Sequence, residues 1–228
     1  MSIKGESTSR EWKPWPRIVR DLSWGATLSL YDAILLGDKS WWWRIHYHLW
    51  KAYRGWSPRE VLARLPDQDM LESLNYGEAP ASTAKKALEF CQEYFPQATT
   101  LVDLGAGRGV LCMTAAALGW NVLAVEYLNE FIRRSEPVTR SLGWSVEWVQ
   151  GDFCDLPVPS TDLIHTSATE YPESTRAALA QKLSTECHSG QAILTQDWVL
   201  EDPRFEVLAS QRWPVTWGTA LFTLHRAR

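Results

Sequence analysis

A chain of 228 residues with 45% apolar content can bury one sizeable core, which favours a single large domain carrying an N-terminal elaboration. A net charge of -4, with no run of Lys or Arg, leaves no electrostatic footprint for a polyanion, so no nucleic-acid partner is expected. The four cysteines, Cys91, Cys112, Cys154 and Cys187, lack CxxC spacing, which argues against zinc or paired disulfides and for a reducing, cytoplasmic setting.

The polar stretch from Met1 to Arg10 has no apolar core of a signal peptide, and no run reaches the roughly 20 apolar residues needed to cross a bilayer. A soluble protein is expected. Trp12-Lys13-Pro14-Trp15-Pro16 reads as an extended lead-in, because proline removes a donor and restrains its predecessor. Apolar residues at helical spacing predict a helix from Arg17 to Leu36, stopped by Gly37-Asp38, and a second from an N-cap at Ser40 to about Tyr53. Ser57-Pro58 opens a third over Arg59 to Leu65, and Ser82 begins another through Tyr94. From Thr99 the texture alternates. Strands are predicted at Thr100 to Leu104, Asn121 to Glu126, Val146 to Gln150, Asp162 to Thr166 and Gln191 to Thr195. Helices fall between them at Val110 to Leu118, Glu130 to Leu142 (with Pro137 as a candidate kink) and Glu173 to Cys187. Phe205 to Gln211 and Ala220 to His225 have no helix between them and read as an antiparallel pair, with Pro214 and Gly218 in the connection. The pattern is that of an α/β protein with a doubly wound, mostly parallel sheet ending in a hairpin.

Three strand ends carry the chemistry. Val102-Asp103-Leu104-Gly105-Ala106-Gly107-Arg108-Gly109 lies between a strand and a helix, where Gly105, Gly107 and Gly109 let the backbone approach a ligand closely. The spacing is GxGxG with an acid ahead of it, whereas a pyrophosphate-binding loop wants GxGxxG. Asp103 would repel phosphate and suits a cationic ammonium or sulfonium. Glu126 ends the next strand about twenty residues on, where a carboxylate can take both hydroxyls of an adenosine ribose. Asp152 and Phe153 follow the third strand and can accept from an adenine amino group and stack on its ring. Together they describe an adenosine pocket.

This arrangement resembles the class I S-adenosylmethionine-dependent methyltransferases over about Tyr76 to the C-terminus, which implies a seven-stranded Rossmann-like sheet and S-adenosyl-L-methionine as cofactor. Tyr76-Gly77-Glu78, Pro172-Glu173 and Pro214-Val215-Thr216-Trp217-Gly218-Thr219-Ala220 are similar to the DOT-type (disruptor of telomeric silencing) lysine methyltransferases and their bacterial relatives. That resemblance implies Tyr76 and Glu78 near the methionine portion and Trp217 in the substrate channel. Where the histone enzymes carry paired asparagines, this chain has Thr166-Ser167. Residues 1–75 are then an aromatic-rich helical cap and residues 76–228 the methyltransferase domain.

Methyl transfer is an in-line displacement that asks for alignment and exclusion of water. Thr166, Ser167, Glu170, Tyr171 and Trp217 are the candidates around the acceptor, with Glu170 docking or deprotonating an ammonium and Tyr171 hydrogen-bonding the nucleophile. His165, inside the fourth strand, reads as a satisfied buried histidine. The expected acceptor is a nitrogen of a small amine or a protein lysine. The alternatives are O-methylation of an aromatic metabolite and a catalytically silent adenosyl-binding protein. The run Ser40 to Trp50 holds four tryptophans in eleven residues. It is expected either to pack as a lid over the cofactor end, with an aromatic wall toward a cationic acceptor, or to serve plain packing.

Overall fold

In the computed structural model, residues 15–56, 77–169 and 171–228 are described, with side chains from residue 26 onward. The predicted helix over Arg59 to Leu65, Tyr76 and Glu170 lie outside the described residues. Five strands, β1 (Thr100–Leu104), β2 (Asn121–Glu126), β3 (Val146–Gln150), β4 (Leu163–Ser167) and β5 (Ala192–Gln196), pair in parallel. β6 (Phe205–Val215) and β7 (Gly218–Ala227) add an antiparallel hairpin, giving the order β3-β2-β1-β4-β5-β7-β6. The hairpin turn is Thr216-Trp217, so Pro214 lies within β6 and Gly218 opens β7, where the sequence suggested a longer connection. Strand order reverses between β1 and β4, and at such a switch point the loops at the strands' carboxyl ends diverge and leave a crevice.

The strands are short apolar runs because both faces of the sheet are covered. Leu101, Val122, Ala124, Leu163 and Leu194 face one side, against Ala87, Leu88 and Cys91 of α3 (Ala81–Tyr94) and Cys112 and Ala115 of α4 (Val110–Ala117). Val102, Leu104, Val125, Ile164 and Ile193 face the other, against Leu179 and Leu183 of α6 (Glu173–Glu186). Between β2 and β3 runs α5 (Asn129–Leu142), which contains Pro137.

Two helices precede the sheet, α1 (Trp15–Leu36) and α2 (Ser40–Ala52). Helix α1 begins at Trp15 rather than after Pro16. A first-turn proline fits there, because its missing N–H would be unpaired anyway. Lys39, not Ser40, is the N-cap of α2. The tryptophan run divides. Trp42, Ile45 and Leu49 are buried at helical spacing against Val110 and Met113 of α4 and Phe131, Val138 and Leu142 of α5, whereas Trp43, Tyr47 and Trp50 are each more than half exposed. The helix therefore rests on α4 and α5, with Trp42 buried and Trp41 packed half-buried against the same cluster, while Trp43, Tyr47 and Trp50 point away from the domain.

Helix α1 is tied to α3 by a buried carboxylate. Asp32 accepts the backbone N–H groups of Ala81 and Ser82, both at 3.1 Å, and the Ser82 hydroxyl, so it supplies the cap that Pro80 cannot give to α3. Burial works against its charge, but bonds from His46 and from Ser82 prevail and hold its pKa below the ordinary 3.8. A carboxyl with a depressed folded pKa contributes stability above its unfolded pKa and loses it as pH falls through the folded value. Asp32→Asn is expected to cost about 1–3 kcal/mol at pH 7. In urea melts that deficit should shrink only below pH 3.8. The division of α2 has its own test. Ile45→Ala is expected to cost about 2–5 kcal/mol and Trp50→Ala less than about 0.5 kcal/mol, read from the same melts.

Candidate active site

The glycine loop leaves β1 and is tied chiefly to β2, with one bond of its own from the Gly109 N–H to the Ala106 carbonyl at 2.8 Å. Gly105 and Ala106 donate to the Val125 carbonyl at 2.9 and 3.0 Å, and Gly107 donates to Glu126 Oε2 at 2.7 Å. Glu126 Oε1 accepts the Leu128 N–H at 2.8 Å. Burial pushes this carboxyl above its usual range, against the lowering effect of those two N–H donors. The sequence reading gave Glu126 the ribose. In the structure the same group first holds the loop, and each oxygen keeps a second lone pair for a hydroxyl donor.

Gly105 has φ +87° and a Cβ there would stand 2.6 Å from the Tyr171 hydroxyl, so both the backbone and the space require glycine. Gly109, at φ +77°, begins α4 with the Trp148 ring against it. Tyr171 lies across the loop. Its hydroxyl donates to the Leu104 carbonyl at 3.2 Å and accepts from the Thr166 hydroxyl at 3.4 Å, and its ring stacks on Phe153 with centroids 5.4 Å apart. Burial raises the Tyr171 hydroxyl well above the ordinary phenol range, so it remains a donor. Phe153 is half-buried beside the loop, while Asp152 is exposed and accepts the Cys154 N–H at 2.8 Å.

On the sheet's other face the acid ahead of the loop has a partner. Asp103 Oδ1 lies 2.7 Å from His165 Nδ1, across paired positions of β1 and β4, and Asp103 Oδ2 accepts from the Cys112 thiol at 3.2 Å. The buried histidine is paired through Nδ1, and its partner is the glycine-loop acid, which no sequence signal disclosed. Ser167 ends β4 on the same face and is half-buried, whereas Thr166 points oppositely, fully buried, donating to the Leu104 carbonyl at 3.3 Å.

Glu78 and Trp217, which the resemblance set near the methionine portion and the substrate channel, belong to a separate knot. Glu78 pairs with Arg108 through two contacts, one of 3.2 Å from Nε, and its backbone N–H donates to Thr216 Oγ1 at 2.9 Å. The Trp217 ring covers Gly77 so closely that a Cβ there would clash with it. Tyr53, at the end of α2, lies under Arg108, 5.4 Å from guanidinium to ring centroid. One residue escaped the sequence reading altogether. Asp197, just past β5, is the only described non-glycine residue with positive φ, at 53°. Its Oδ1 accepts the Leu221 N–H at 2.8 Å and its Oδ2 accepts the Thr169 hydroxyl at 2.9 Å. A strained acid at a strand's carboxyl end is a functional signal only once the backbone is known.

Residues 101–190 match a family model described as a methyltransferase domain. A search of curated proteins finds no sequence match. Among solved structures, the chain is similar to an RNA methyltransferase from Salinibacter ruber in complex with S-adenosyl-L-homocysteine. The TM-score is 0.55 and the identity 17%, over 66% of this chain and 94% of that one. It is similar also to TrmN from Thermus thermophilus (TM-score 0.55, 13% identity, 69% and 52% covered). A variant of MtNAS in complex with S-adenosylmethionine is a third (0.53, 13%, 75% and 70%). At such identities the likeness establishes the fold. The chain carries a methyltransferase domain over residues 101–190 and is an S-adenosylmethionine-dependent methyltransferase.

The residues fit that cofactor. The loop carries an acid and no phosphate-binding spacing, Phe153 offers a stacking face beside it, and Glu126 ends β2 with lone pairs to spare. Glu126→Gln places an amide NH2 where one of two N–H groups must be accepted. It is expected to raise the dissociation constant for S-adenosylmethionine at least about tenfold, measured by calorimetry, while the circular dichroism of the fold is kept.

Proposed function

We propose that the enzyme transfers a methyl group to a nitrogen, that of a small amine or of a lysine side chain, in keeping with the likeness to the DOT-type enzymes. The observation that carries this reading is Trp217. Its ring sits at the tip of the β6–β7 hairpin, over Gly77, 40% exposed, beside the strand edge that bears Asp103, Glu126, Asp152 and Asp197. An aromatic face at an acid-rich mouth attracts a cation, and a desolvating aromatic wall also favours the neutral form that an amine needs in order to attack. The one basic side chain of the loop, Arg108, is paired with Glu78, so the edge offers little to a phosphate backbone.

Bound S-adenosylmethionine supplies an electrophilic methyl carbon. The chain supplies alignment. Glu126 fixes the loop, Tyr171 closes over Gly105, and the Glu78–Arg108 pair ties the segment entering α3 to that loop. Release of adenosylhomocysteine is the test, measured with primary amines, a lysine-containing peptide and simple phenols side by side. Turnover is expected on an amine, and Trp217→Ala is expected to raise that amine's KM about 3- to 30-fold with cofactor affinity unchanged. Turnover on phenols alone would replace the acceptor with a hydroxyl.

A further inference from the structure

Asp103 and His165 make a pair that packing alone does not account for. Both are polar, both are nearly buried, and they meet at 2.7 Å in the sheet one pleat below its carboxyl edge. A carboxylate on Nδ1 fixes the ring's orientation and its tautomer, leaving Nε2 as an acceptor. Among the described residues His165 Nε2 has no hydrogen-bond partner, yet it is not among the buried polar atoms left unpaired, and 8% of the side chain remains open. The open atom is therefore the one that can take a proton.

The surroundings give that opening a direction. Asp103 is two residues ahead of Gly105, and His165 is two ahead of Ser167 on the same face of β4. That face also carries Glu126 at the end of β2 and Gln196 at the end of β5, and above it stand the N-terminus of α3 and the β6–β7 hairpin, joined by the Thr83 hydroxyl donating to the Pro214 carbonyl at 2.7 Å. The titratable groups facing the pair are Cys112 from α4 and Glu126 from β2. Burial and the neighbouring Asp103 keep the Cys112 thiol protonated, so it serves Asp103 as a donor.

We infer that His165, oriented by Asp103, is the base that takes the proton from the methyl acceptor. The inference rests on the amine reading for the identity of that acceptor. Nε2 accepts a proton from the substrate ammonium, which frees the nitrogen lone pair. That pair forms the bond to the methyl carbon as the electrons of the sulfur–carbon bond return to sulfur, and the imidazolium later passes its proton to water. Asp103 stabilises the charge the ring carries in between. Its place in the catalytic apparatus is thus inward, toward His165, rather than toward the cofactor.

His165→Asn tests this, because the asparagine amide still donates to Asp103 but offers no proton-accepting nitrogen. On an amine that the wild type turns over, the variant's rate at pH 7 is expected to fall about 10²- to 10⁴-fold. The acid limb of the wild-type rate profile should vanish, with rate recovering only as pH approaches the amine's own pKa. The dissociation constant for adenosylhomocysteine should stay within about threefold, which a merely structural pair would not predict alongside that rate loss. Independently of turnover, diethyl pyrocarbonate should acylate His165 in the free protein, and adenosylhomocysteine should protect it, read by peptide mass. Wild-type rate and profile in His165→Asn, or a His165 that the reagent never reaches, overturns the assignment. Failure of every amine with His165 still labelled and protected overturns the amine reading and leaves the base in place for a hydroxyl acceptor.

Discussion

The bond from the Gly107 N–H to the buried Glu126 carboxylate is the contact on which the arrangement of this edge depends. A loop that must leave its backbone open to a ligand has few side chains of its own to hold it, and glycine at 105, 107 and 109 leaves Arg108 as its long one. It is held from the neighbouring strand instead, by two bonds to the Val125 carbonyl and the one to Glu126. The same carboxylate fixes the turn after β2 through Leu128, so the first two loops of the crevice share one anchor. A buried carboxylate is costly unless its bonds are made, which makes the loop conformation and the charge of Glu126 mutually dependent.

A second set of ties comes from far along the chain. Glu78 joins the segment entering α3 to Arg108 of the loop and to Thr216 of the last hairpin, which is 138 residues away. Trp217 closes on Gly77 from that hairpin, and Thr83 reaches Pro214. The antiparallel hairpin is thus more than an edge of the sheet. It carries an aromatic side chain over the entering segment and places it beside the crevice.

What the sequence disclosed, and what it did not, follows from which interactions are local. Strands and helices were legible because each depends on periodicity and punctuation within about ten residues, and the positions of Asp103, Glu126 and Phe153 at the strand ends were legible because the acid or ring follows or ends an apolar run. Their partners were not. That Asp103 faces His165 depends on the register between β1 and β4, and residues 62 apart carry no mark of it. Asp32 reads as a helix-surface acid until α3 is set beside it. The tryptophan run stayed ambiguous for a related reason: several rings on one helix cannot say which stripe is buried, and the buried face is Trp42, Ile45 and Leu49 because α4 and α5 present apolar residues there. Asp197 was invisible because its signal is a backbone angle.

The acid ahead of the glycine loop takes on a different meaning in this light. From sequence it is a countercharge for a cationic ligand. In the structure both of its oxygens are engaged, one by His165 and one by Cys112, on the face of the sheet opposite to Phe153 and Tyr171. Its influence on a sulfonium lying across the strand ends is then that of a fixed charge acting through a medium of low polarity, at longer range than a hydrogen bond but little screened. One carboxylate can therefore serve both requirements of methyl transfer to an amine, which needs a positively charged donor to be held and a positively charged acceptor to be made neutral. On the proposed reading the field acts on the first and the imidazole on the second, so that one side chain beneath the loop bears on both.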